Sequence, residues 1–165
     1  MSPELQAKLT YIIAIAGPYL IIVLAALYTL ALSVNVSMSR GKHGIKAPAT
    51  VGHDGFERAF RAHLNMVENF MVFLPIFLVN IQFPNVSLTK IAPLAVPALG
   101  LTWLLCRIIS GLNYIKNWNK GLGYAAYGIA LLCILALAAN VLSGMYLGIA
   151  EVLNTSTNAT TNVSR

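Results

Sequence analysis

From Leu9 to Ser39 the chain contains no Asp, Glu, Lys or Arg. A helix crossing a bilayer needs about 20 predominantly apolar residues, so this one stretch already restricts the chain to few architectures. The same kind of gap recurs from Asn69 to Thr89 and from Gly121 to Ala150. A shorter gap, from Ile91 to Cys106, extends to Asn113 if Arg107 sits at the inner end of a span. Backbone in lipid must satisfy its own hydrogen bonds, which makes these segments helices. The expectation is an all-α, integral membrane four-helix bundle with spans near 9–35, 57–83, 90–114 and 120–149. Residues 1–150 form one domain and residues 151–165 a polar tail. Composition agrees: 10% of residues are charged, where a soluble domain carries about 25%.

The net charge of +6 does not point to nucleic acid, because the cations are not spread as a binding face. Arg40, Lys42, Lys46, Arg58, Arg61, Arg107, Lys116 and Lys120, 8 of the 11 basic residues, lie in or beside the first and third connections. The second connection, IQFPNVSLTK, holds Lys90 alone. By the positive-inside rule the first and third connections face the cytoplasm, with both termini on the other side. The first segment lacks a basic leader and exceeds an h-region of about 7–15 residues, so it reads as a retained helix rather than a cleaved signal.

Local signals fill in the frame. Pro18 is expected to kink the first helix and Pro75 to bend the second, with Asp54 capping the second helix near Phe56. Pro93 and Pro97 lie near the outer end of the third. The short connection KNWNKGLG makes helices three and four an antiparallel hairpin. The tail NTSTNATTNVSR is low in complexity and expected to be disordered. It carries sequons at Asn154, Asn158 and Asn162, beside those at Asn35 and Asn85, and these imply nothing about the host membrane. Cys106 and Cys133 fall inside spans without metal or redox spacing and read as small hydrophobes. His43 and His53 match no metal motif and read as solvated loop residues.

One segment resists the apolar pattern. In RAFRAHLNMVENF, residues 58–70, Arg58, Arg61, Asn65 and Glu68 fall within about 80° of one another on a helix, while His63 lies on another face. The stripe climbs about 15 Å, half the hydrocarbon thickness. Arg58 alone reads as an interfacial arginine. Arg61, Asn65 and Glu68 together do not, since a carboxylate several turns inside a span is a functional candidate by default. Arg107, Ser110 and Tyr114 share one face of the third helix, and Lys120, Tyr124 and Tyr127 one face of the fourth. A pocket built from these groups suits a mainly anionic ligand, carboxylates for the arginines and one ammonium for Glu68.

Arg58-x-x-Arg61-Ala62-His63-x-Asn65-x-x-Glu68, with Arg40 before it and Arg107 and Tyr114 after it, resembles the signature of the MAPEG family, membrane-associated proteins in eicosanoid and glutathione metabolism. The wording RAHLNxxEN is most similar to the microsomal glutathione S-transferase branch. The resemblance implies a homotrimer of four-helix subunits with glutathione bound between neighbours near the cytoplasmic leaflet. It implies that Arg61, Asn65 and Glu68 hold glutathione, with His63 able to contact it and Arg40 and Tyr114 completing the site. Arg107, Tyr124 and Tyr127 are counted with them. The family's thiolate-stabilising arginine at the start of helix four is replaced here by Lys120, with Gly121 the other position a strict count reaches. The implied activity is glutathione transfer to lipophilic electrophiles, with lipid hydroperoxide reduction beside it. Glutathione is the co-substrate, no metal is involved, and the remaining partner is membrane lipid. Two alternatives stay open: a non-catalytic lipid-binding member of the family, and a small proton-coupled transporter using Glu68.

Overall fold

The computed structural model describes residues 2–83, 92 and 94–163, with side chains through residue 156. It is all helical. α1 runs Pro3–Lys42, α2 Asp54–Gln82, α3 Ala95–Lys116 and α4 Lys120–Val163. All four are long and apolar enough to cross a membrane. α3 and α4 pack as the expected hairpin, α2 lies against both, and α1 packs on α2 and α3. Much of α1 and α4 turns large apolar side chains outward, among them Leu20, Leu30, Leu132 and Leu142. Helices bordered by lipid or by other helices can expose such surface without the penalty it carries in water.

Helix ends differ from expectation, each for a local reason. α1 starts well before residue 9 because Ser2 accepts the Leu5 N–H at 3.3 Å and Pro3 occupies the first turn, where a missing amide hydrogen costs nothing. It passes Pro18 unbroken and ends in a basic turn with Arg40 and Lys42, cations that suit the negative end of the helix dipole. The cap of α2 is His53, whose Nδ1 accepts the Gly55 N–H at 3.0 Å. Asp54 is instead the first residue of that helix. α4 continues as helix through Val163, past residue 150, where the sequence reading begins a disordered tail. No Gly or Pro follows Gly148, and the Thr155 and Ser156 hydroxyls bond back to carbonyls one turn earlier. Residues 84–91, Pro93 and the Asn158 and Asn162 side chains lie outside the described residues. The Lys90 and Asn85 readings, and the expected start of the third span, fall there too.

The core is an aromatic stack. Phe73 on α2 and Trp103 on α3 lie 3.7 Å apart at 2°, and Phe77 continues the row 4.7 Å from Phe73. All three side chains are fully buried. Gly100 makes this possible: a Cβ there would stand 2.5 Å from Phe77. Ala25 of α1 and Ala130 of α4 are likewise buried, small residues that let helices approach in a setting where packing, not water exclusion, holds them together.

At the end of the bundle opposite the Lys120 turn, two asparagines join α2 to α4. Asn140 donates to Asn80 Oδ1 at 2.7 Å, and Asn80 donates to the Leu137 and Ile76 carbonyls at 3.1 and 2.8 Å. Both are 2% exposed. Asn80→Leu removes the oxygen that the Asn140 amide bonds and the donor to the Leu137 carbonyl, and the expected loss is about 1–3 kcal/mol. The double replacement with Asn140→Leu should recover most of it, read from thermal midpoints in detergent; equal losses in single and double variants would count against a pairwise bond.

Candidate functional site

A cavity of about 510 Å³ opens between α2, α3 and α4 at the end of the bundle where α3 turns into α4. The turn itself is built from asparagines. Asn117 adopts φ 52° at the C-terminus of α3, a left-handed conformation that asparagine tolerates better than most residues. Asn113 Oδ1 accepts the Asn119 N–H at 3.2 Å, and Asn119 Oδ1 accepts the Leu122 N–H at 3.0 Å. Asn119 thereby caps α4 and sets Lys120 as its first residue, on the cavity wall. The N-terminal end of the α4 dipole adds partial positive charge beside the lysine.

The opposite wall carries Arg58 and Asn65 of α2, and the floor carries Arg107 and Ser110 of α3. Arg58 Nε donates to the Ile115 carbonyl at 3.3 Å, tying α2 to the end of α3. Arg107 is 3% exposed. Its Nη2 donates to the Asn65 carbonyl at 3.0 Å, and its Cζ lies 5.2 Å above the Tyr127 ring. Among the described residues the ion pair present is Lys8–Glu4, far along α1, and no carboxylate lines the cavity. Arg58, Arg107 and Lys120 therefore face it as cations without an anion, and a site so charged recruits anionic ligands.

Of the residues singled out from the sequence, the cavity gathers Asn65, Arg107, Tyr114, Lys120, Tyr124 and Tyr127. Arg61 lies in a second, more open hollow of about 420 Å³ with Asp54 and Glu57, and Arg58 and Tyr114 border both. Glu68 is exposed and His63 half-buried, and neither lines either cavity. Arg40 donates to the Ala49 carbonyl at 2.8 Å and lies 4.7 Å over the Phe56 ring, away from both. The expected single stripe thus divides within one chain. Helix geometry explains the split: Arg58 and Asn65 lie within about 20° of each other, whereas Arg61 and Glu68 are turned about 60–80° from Arg58.

The sequence reading missed Asn113 and Asn117, although three asparagines in NYIKNWN are a turn signal. It also missed Tyr28, whose hydroxyl is buried on the far side of the cavity floor, where a Cβ at Gly111 would meet it at 2.5 Å. Nothing in α1 marks that tyrosine from its apolar neighbours.

The loop histidines lie at the surface as expected, His53 exposed and His43 half-buried, and they also pair with each other. The His43 and His53 rings stack at 3.5 Å and 16°. Desolvation first, then the charges of His53 and Lys42, hold the His43 imidazole below its ordinary value. The folded loop therefore binds this proton less tightly than the unfolded chain. The contribution of this group to loop stability is fully present above the ordinary histidine value of about 6.5 and declines as pH falls from there towards the depressed folded value. Amide exchange at Gly55–Glu57, corrected for intrinsic rate, is expected to be faster at pH 5 than at pH 7.5; identical protection at both would refute it.

The MAPEG family model matches residues 18–143. The chain belongs to the MAPEG family. The match runs from Pro18 in α1 to Ser143 in α4 and takes in every residue of the cavity. "Uncharacterized protein sll1147" of Synechocystis sp. is 33% identical over 122 residues, covering 74% of this chain and 84% of that one. MAPEG proteins include glutathione transferases and typically use glutathione.

Proposed function

We propose that this MAPEG protein is a membrane-bound glutathione transferase of the microsomal type, conjugating glutathione to lipophilic electrophiles and reducing lipid hydroperoxides. The observation that carries the reading is the cavity in which Asn65, Tyr114 and Lys120 meet from three helices, around cations that no lining carboxylate neutralises. In this reading the Lys120 ammonium, with the first-turn amides of α4, stabilises the glutathione thiolate. The thiol proton goes to solvent, and the thiolate sulfur attacks the electrophilic carbon of a substrate delivered from the bilayer and displaces its leaving group; with a hydroperoxide the sulfur takes the terminal oxygen, the alcohol leaves, and a second glutathione converts the sulfenic acid to disulfide and water. Lysine supplies charge but not the planar fork of an arginine.

Arg61, Glu68 and Arg40 lie outside this cavity. In the proposal they act across a subunit boundary of a homotrimer, Glu68 taking the glutathione ammonium and the arginines a carboxylate. The cation-rich first and third connections are assigned to the cytoplasmic side, where glutathione is supplied. The test is the detergent-purified protein with glutathione and a chlorodinitrobenzene-type electrophile, following thiolate absorbance and conjugate. Absence of both across pH 6–9, with glutathione unbound by calorimetry, would sink the proposal.

A further inference from the structure

Two histidines stand where α1 ends and α2 begins. His43 is the C-cap of α1 and His53 the N-cap of α2. Their rings stack at 3.5 Å, so the two helix ends are joined through imidazoles. His53 Nδ1 also accepts the Gly55 N–H at 3.0 Å, a bond that requires this nitrogen to carry no hydrogen. Between the two rings the connection folds back on itself. Gly52, at φ 137°, lets Ile45 lie against it; a Cβ there would stand 2.8 Å from Ile45 Cδ1. The Gly52 N–H donates to Glu57 Oε1 at 2.9 Å, and Arg40 donates to the Ala49 carbonyl. The same connection supplies Thr50 and Val51 to the wall of the hollow that contains Arg61.

We propose that the His43–His53 stack is an acid-released clasp: when both rings are protonated they part, α2 loses its cap, and Thr50 and Val51 swing away from the Arg61 hollow. One imidazolium can stack on a neutral ring. Two like charges at 3.5 Å repel, so the pair takes its second proton at the expense of the contact. A hydrogen on His53 Nδ1 ends the bond to Gly55 and places positive charge at the positive end of the α2 dipole. The charged residues of the elements that meet here pull both ways. Arg40 and Lys42 on α1 and Lys46 in the connection oppose protonation, while Asp54 and Glu57 in the first turn of α2 favour it. Glu57 is already engaged by Gly52. The stack and the cap both require neutral rings, so the clasp is closed at neutral pH and opens as pH falls below the ordinary histidine value of about 6.5. What it controls is the width of the hollow, and it stands whether or not the protein conjugates glutathione.

The test follows two reporters in detergent-solubilised protein at pH 7.5 and pH 5. One is exchange of the Gly52 amide, corrected for intrinsic rate. The other is a nitroxide on Val51→Cys, with Cys106 and Cys133 replaced by alanine. The expected result at pH 5 is a fall in Gly52 protection of about tenfold and a mobile nitroxide, while α3 amides stay protected. The double variant His43→Phe with His53→Asn keeps a ring to stack and a side-chain oxygen to cap, and neither titrates. It should hold Gly52 protected and the nitroxide restricted at both pH values. Wild-type Gly52 protection unchanged at pH 5, or a nitroxide still restricted there, overturns the clasp. Equal loss in the double variant also overturns it and assigns the change to protonation of Glu57, and loss of α3 protection alongside assigns it to global unfolding. If the alanine background fails to fold, Gly52 exchange in the wild type and the double variant decides alone.

Discussion

Lys120→Ala is expected to slow glutathione conjugation at pH 7 by about tenfold to thirtyfold, with little change in glutathione affinity, and to regain most of the rate above pH 9. The size follows from thiol ionisation. A free thiol with a pKa of about 8.5 is only about 3% thiolate at pH 7. A cation beside the sulfur can raise that fraction towards one, and no more is available from ionisation alone. Lys120 is placed for this by the Asn119 cap, on the wall of a cavity that lacks carboxylates. Removing it leaves Arg58, Asn65 and Arg107 in place on the cavity lining, where the proposed reading has the peptide bound. Alkaline pH then replaces the missing charge by deprotonating the thiol directly. Lys120→Arg should keep the wild-type pH profile. A Lys120→Ala enzyme whose rate falls equally at pH 7 and pH 9 would show that the lysine acts through structure instead.

Trp103→Ala is expected to cost about 3 kcal/mol, the largest loss of any single core substitution. In soluble proteins, truncating a buried tryptophan costs about 3–5 kcal/mol, part of it transfer from water and part the hole left behind. Between membrane helices the transfer part is small, because lipid is as apolar as the core. The packing part remains whole. Trp103 lies flat on Phe73 at 3.7 Å and is fully buried, so no neighbour can collapse into its place without breaking the stack. The apparent melting temperature in detergent should fall by about 6–12 °C. Trp103→Phe should recover roughly half, and a shift under about 2 °C for the alanine variant would show that the stack contributes little.

The four spans and the hairpin were legible because uncharged runs of this length have one solution in lipid. RAFRAHLNMVENF was legible because Arg58, Asn65 and Glu68 are conspicuous in apolar surroundings. Which of them share a cavity was not. A modest rotation of α2 decides whether Arg61 joins Asn65 or faces away, and the sequence does not state how α2 is turned against α3. The Asn80–Asn140 bond and the meeting of Tyr28 with Gly111 depend on the axial offset between separate helices, which no local pattern encodes. Helix ends were misjudged where polar residues continue a helix past the hydrocarbon, as at Ser2–Pro3 and at Arg40–Lys42.

The Asn80–Asn140 pair also sets a lever. It fastens α2 to α4 at one end, while the cavity separates the same two helices at the other. Asn140 and Lys120 belong to one unbroken helix, which makes the stretch between them roughly 30 Å of rigid arm. A tilt of about 5° about the amide pair would carry Lys120 roughly 3 Å towards or away from Asn65. The amide pair stands at the far end of the bundle, outside the cavity lining, so the angle it sets between α2 and α4 bears on where Lys120 stands without any contact to the cavity itself.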